Sequence, residues 1–214
     1  MKTTGVLKSF SAKTAARKGS RGVKSLSELP IVSVVGFSGS GKTTFIEKLI
    51  PQLTARNIRV GTLKHDVHGF EMDKPGKDSW RHKHAGAVVT VISSPRQIGM
   101  VKDVDHDHDP DELKPLFKEV QIILAEGYKR QNRPKLEIFR PEIREEPFCA
   151  GDDALIGLIS DVSVDLGVPR FSLDDAEGVA EFLISYFKLL PECRRDDRCN
   201  ALNVLTSKGL KNAV

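Results

Sequence analysis

The sequence predicts an α/β fold of three layers: a mostly parallel sheet with helices on both faces. Three observations carry that prediction. Short runs of β-branched and apolar residues alternate with stretches whose apolar residues recur at helical spacing. The strand-like runs, such as Ile31–Val35 and Val120–Ala125, are apolar nearly throughout, as strands covered on both faces must be. A glycine-rich turn joins the first strand to the first helix.

In order, Pro30 opens the folded region and Ile31–Val35 is a buried central strand. Thr43–Ala55 reads as a helix with an apolar stripe of Phe45, Ile46, Leu49 and Ile50. Pro51 inside it predicts a kink or an early end. Ile58–Leu63 is a second strand, and Lys64–Gly76 a polar loop. Asp78–Ala85 is a short helix with Trp80 as a core anchor, and Val88–Ile92 and Gln97–Lys102 are strands. The acidic loop "DVDHDHDPDEL" leads into a helix with Asp109 as N-cap and Pro110 at its first position. Val120–Ala125, Lys135–Phe139, Leu155–Ile159 and Phe171–Leu173 are further strands. Asp174 is expected to cap a last helix from Ala176 to about Leu189.

The chain of 214 residues carries a formal net charge of +4, but unevenly. Residues 1–27 hold seven Lys/Arg and no acid, which leaves 26 basic against 29 acidic residues for the rest. The N-terminal segment lacks apolar periodicity and reads as a solvated, disordered extension, with an organelle transit peptide as the alternative. The organisation expected is therefore a basic extension over 1–29, one folded domain over 30–190, and a polar extension over 191–214. The acidic balance of the folded part argues against nucleic acid as a partner. No apolar run reaches the length of a membrane span. Three cysteines without a CxxC pair argue for a reducing, cytoplasmic setting.

The turn after the first strand is "GFSGSGKT", Gly36 to Thr43, a complete match to G-x-x-x-x-G-K-[ST]. Its four fixed positions coincide by chance in roughly one chain of this length in a hundred. The pattern suits a triphosphate, which backbone N–H groups bind in a concavity that side chains would block. Gly36, Phe37, Ser38, Gly39, Ser40 and Gly41 form the loop, and the helix behind it turns its positive end to the phosphates. Lys42 is expected to reach the β- and γ-phosphates, and Thr43 to ligate Mg²⁺. Such a site also needs an acid at a neighbouring strand end, and "IILAEGYK" supplies Glu126. Lys42 and Glu126 are the candidate catalytic groups. The Gly127 amide is a further candidate contact for the γ-phosphate. In the loop after the second strand, Asp66 is a candidate water-mediated Mg²⁺ ligand, with His65 and His68 beside it. His106 and His108 read as part of a hydrated acidic loop rather than a metal site.

Three segments, "GFSGSGKTT", "LKHDVHGFEMDKPGKDSWRHKHAGA" and "IILAEGYK", together resemble the MobB family of molybdopterin-guanine dinucleotide biosynthesis adapter proteins. The middle segment is the distinctive one, and the likeness runs from about Ile31 to Leu190. The resemblance implies a P-loop NTPase fold and a cytoplasmic homodimer that binds GTP with Mg²⁺ and hydrolyses it slowly. It implies a role beside the guanylyltransferase that joins GMP to molybdopterin, with molybdopterin itself a candidate ligand. On the same grounds Gly36, Gly39, Gly41, Lys42, Thr43 and Thr44 carry over as phosphate and Mg²⁺ contacts, and Glu126 as the Walker B-type acid. The sequence has no N-K-x-D motif to read guanine, and Asp161, ending the strand "LIGLIS", is the candidate in its place.

Two alternatives stay open beside the adapter. A P-loop small-molecule kinase would need an arginine-rich lid over a second substrate. A metallochaperone-type GTPase would need His and Cys ligands near Asp66 and would release metal on hydrolysis.

Overall fold

The computed structural model describes residues 29–191. Except for Leu29 and Pro191, both expected extensions, with Cys193 and Cys199, lie outside the described residues. Among the described residues eight strands form: β1 Ile31–Val35, β2 Val60–Lys64, β3 Val89–Ser93, β4 Ile98–Lys102, β5 Ile122–Glu126, β6 Lys135–Ile138, β7 Leu155–Ile159 and β8 Arg170–Phe171. The helices are α1 Lys42–Ala55, α2 Asp78–His84, α3 Pro110–Leu113 and α4 Ala176–Tyr186, with a 3₁₀ turn at Lys114–Phe117.

Six strands make one parallel sheet in the order β2-β5-β1-β6-β7-β8. From β1 the chain runs to β2 and β5 on one side, then to β6, β7 and β8 on the other. That reversal opens a crevice at the carboxyl end of β1, where open α/β sheets bind ligands.

Alternation along the strands gives the sheet two unlike faces. Val32, Val34, Leu124, Leu136, Ile138 and Ile159 form one apolar face, covered by Phe45, Ile46, Leu49 and Leu53 of α1 and by Val179, Ala180 and Leu183 of α4. Burial of this stripe carries α1 through Pro51 to Ala55, so the early end expected there does not occur. The other face has thinner helical cover. Phe117 of the 3₁₀ turn packs over Ile31, Ile123, Ala125 and Tyr128. Beside these, Lys135 and Glu137 are buried. Lys135 pairs with Asp152 at 2.5 Å. Glu137 accepts from the N–H groups of Phe148 and Cys149 at 2.6 and 2.8 Å. These two contacts fasten the loop after β6 to the sheet. Cys149 is enclosed there, and burial beside Glu137 pushes its thiol up to about 12.

Several local expectations need correction. β3 and β4 leave the main sheet and pair antiparallel as a separate ribbon. α2 packs on this ribbon, so none of its residues is buried. Trp80 is consequently half-buried and stacks on His84 with ring centres 3.7 Å apart. Asp109 does cap α3, in a capping box with Glu112. At α4 the cap is Asp175, whose carboxylate accepts from Gly178 N–H, while Asp174 pairs with Lys48 at 2.6 Å. No helix among the described residues is long and apolar enough to cross a membrane.

Candidate functional site

β1 ends at Val35, and the chain enters the glycine loop at the crevice. Gly36 takes φ 144°, and a Cβ there would lie 2.5 Å from the Ile138 carbonyl oxygen and 2.7 Å from Ser40 Oγ. Only glycine lets the loop turn this close to β6. Gly39 and Gly41 follow in left-handed conformations, and nothing lies within 4 Å of a Cβ at Gly39. The tip, Ser38 and Gly39, is exposed, so the concavity opens to solvent. Gly41 is the N-cap of α1, which has neither a side-chain cap nor an acid in its first turn. Its first amides are therefore left for an anion.

Lys42 folds back into the loop. Its Nζ donates to the carbonyl oxygens of Phe37 at 2.8 Å and Gly36 at 3.3 Å. Desolvation, then the nearby Lys129, holds its ammonium below the usual lysine value. Thr43 and Glu126, 83 residues apart in sequence, meet at the loop's rim. The Thr43 hydroxyl donates to both Glu126 carboxylate oxygens, at 3.0 and 3.1 Å. The pairing follows from register, since β5 lies between β1 and β2 with Glu126 opposite both Val34 and Lys64. Lys64 Nζ stands 3.9 Å from the same carboxylate. A hydroxyl and a carboxylate brought together beside a lysine are donors that would suit a hydrated Mg²⁺ accompanying bound phosphates.

Three candidates sit differently from expectation. The Gly127 N–H is donated to the Val34 carbonyl at 3.1 Å, so it is not free for a phosphate. What Gly127 contributes is its φ of 100°, with His65 Cβ only 3.2 Å from where a Cβ would stand. Asp66 lies on the exposed loop, where its Oδ1 accepts from His68 N–H at 2.9 Å. His65 turns away from His68, stacks on Tyr128 and meets Asp107 at 2.9 Å. His106 is held between Asp105 and Glu112, which raise its pKa. No group of three His, Cys, Asp or Glu side chains among the described residues is arranged to hold a metal ion.

At the other end of the loop lies a cavity of about 270 Å³ lined by Ser40, Thr44, Lys48, Arg140 and Asp161, among others. Asp161 Oδ1 accepts from Leu173 N–H at 2.9 Å. The sequence reading missed Arg140, two residues past the end of β6, whose Nε donates to the Ser40 carbonyl at 3.0 Å. It also missed the aromatic cover of the loop. Phe37 meets Phe148 edge to face, with Arg144 4.4 Å and Lys129 5.1 Å from the centre of its ring. The position of Arg140 at the carboxyl end of a strand beside β1 is the signal that could have found it.

The family model described as molybdopterin guanine dinucleotide synthesis protein B, MobB, matches residues 31–161. The molybdopterin-guanine dinucleotide biosynthesis adapter protein of Escherichia coli (strain K12) is 34% identical over 168 residues, covering 75% of this chain and 94% of that protein. The adapter protein of the same name from Haemophilus influenzae is 31% identical over 158 residues, covering 73% and 88%. Among solved structures, Bacillus subtilis MobB superposes with a TM-score of 0.61 at 31% identity, covering 76% of this chain and 99% of that one.

Proposed function

The chain belongs to the molybdopterin guanine dinucleotide synthesis protein B family, and from that premise we propose that it is a GTP-binding adapter in molybdenum cofactor assembly. The observation that carries the nucleotide part is the meeting of Lys42, Thr43 and Glu126 around an open glycine loop. Its amides, the α1 N-terminus and Lys42 would hold the phosphates. Thr43 and Glu126 would hold Mg²⁺. The metal supplies charge neutralisation between the β- and γ-phosphates. Hydrolysis is slow, and the chain serves as an accessory protein rather than a fast enzyme.

Asp161 and Thr44 share the adjoining cavity, which suits the base end of the nucleotide. The Asp161 oxygen that does not bond to Leu173 N–H accepts from guanine N1 and N2. Asp161→Asn should reduce the preference for GTP over ATP by about tenfold; unchanged selectivity in a competition titration would remove the assignment.

The protein works in the cytoplasm as a homodimer. The β3–β4 ribbon supports that reading: two strands alone are marginal in water, and this pair exposes Val89, Val91, Ile98 and Met100. A second copy of the chain is the occupant that would bury them.

The partner is the guanylyltransferase that attaches GMP to molybdopterin, with the pterin itself as a candidate ligand. The test is affinity capture from native lysate with GTP and without it. GTP-dependent recovery of a guanylyltransferase supports the adapter. Stoichiometric release of nickel or zinc on hydrolysis would instead favour a metallochaperone.

A further inference from the structure

We propose that Lys129 is a contact for the γ-phosphate, by which the chain distinguishes a nucleoside triphosphate from a diphosphate. The proposal rests on the nucleotide reading of the glycine loop and extends it to a residue outside the motif.

The cradle has two distinguishable ends. Thr44, Arg140 and Asp161 border the cavity at one end. At the other, Phe37 and Gly36 give their carbonyls to Lys42 Nζ, the group that reaches the β- and γ-phosphates. Thr43 and Glu126, the pair suited to Mg²⁺, mark the rim beside Lys42. Lys129 stands at this second end. Its Nζ lies over the Phe37 ring, 5.1 Å from the centre, and 5.6 Å from the centre of Phe148.

The backbone is built to bring it there. β5 ends on Glu126, and the next two residues take left-handed conformations, Gly127 at φ 100° and Tyr128 at φ 54°. A non-glycine residue in that region is strained and persists only where its surroundings fix it. Tyr128 is buried and stacked on His65, and the Gly127 N–H is tied to Val34. This turn reverses the chain, so that Lys129, three residues past the Mg²⁺-side acid, returns over the loop.

Charge points the same way. Among the described residues no carboxylate pairs with Lys129; it lies against the rings of Phe37 and Phe148 and acts on Lys42 as a like charge, while Arg144 also sits against Phe37. Lys42 feels the like charges of Lys129 and Lys64, opposed by the carboxylate of Glu126. Like charges converging on a solvent-open concavity are stabilised by an anion, and a third phosphate adds charge at this end of the cradle.

The experiment is equilibrium titration of the full chain, with Mg²⁺, against GDP and a non-hydrolysable GTP analogue, for wild type, Lys129→Met and Lys129→Arg. Lys129→Met should weaken the triphosphate about tenfold and leave GDP unchanged, while Lys129→Arg keeps the wild-type preference. Lys129 is half-buried at the loop's edge, and circular dichroism checks that the Met variant is folded. An unchanged preference in Lys129→Met, an equal loss for both nucleotides, or a wild type indifferent to the third phosphate would each overturn the proposal. A wild type that binds neither nucleotide would overturn the nucleotide reading itself, and this proposal with it.

Discussion

β1, β6 and β7 are buried at every position, whereas β3 and β4, drawn from the same valines and isoleucines, leave Val91 56% and Ile98 77% exposed. The chemistry of the side chains does not separate the two regions; their neighbours do. The central strands lie between other strands, with α1 and α4 on one face and a fastened loop on the other. The ribbon has α2 against β3 and, among the described residues, no further strand paired to it. The sheet therefore works as a rigid frame for the phosphate cradle. The ribbon is apolar surface held out from that frame.

The contrast can be broken at its strongest point first. Leu124 in β5 is fully enclosed, and Leu124→Ala should lower stability by about 2–5 kcal/mol through lost burial and a cavity. The check is denaturant unfolding of the two chains. Glu137→Gln should cost about 1–3 kcal/mol, because an amide oxygen can replace only one of the two carboxylate oxygens facing Phe148 and Cys149 N–H. Hydrogen exchange would locate the loosening in the loop after β6. Ile98→Asp should change the unfolding of a single chain by no more than about 0.5 kcal/mol, because the side chain is already in water. If the proposed homodimer forms through the ribbon, the same substitution should halve the molecular mass found by light scattering, and an unchanged mass would overturn that proposal.

How much could be read in advance followed from how local each determinant is. The glycine loop was legible because its spacing expresses a backbone requirement, visible at Gly36, where a Cβ meets β6. Glu126 was legible as an acid at the end of an apolar run. The Asp109–Pro110 cap is settled within four residues and was read correctly. At α4 two adjacent acids compete, and only backbone geometry selects Asp175 over Asp174. The ribbon's strands were visible as β-rich runs, but membership of a sheet is decided by distant partners. Gly127 was given a phosphate contact because nothing in the sequence shows its N–H committed to Val34. Glu137 and Lys129 were out of reach for the same reason, since their roles depend on a loop and a left-handed turn that fold over them.

The central claim is that Lys42 and the loop around it grip a triphosphate, and its most direct test is equilibrium titration of Mg²⁺–GTP against the wild type and Lys42→Ala. The account predicts one GTP bound per wild-type chain and an affinity about a hundredfold lower in the variant, with its melting transition preserved. A Lys42→Ala chain that binds GTP as tightly as the wild type would contradict it.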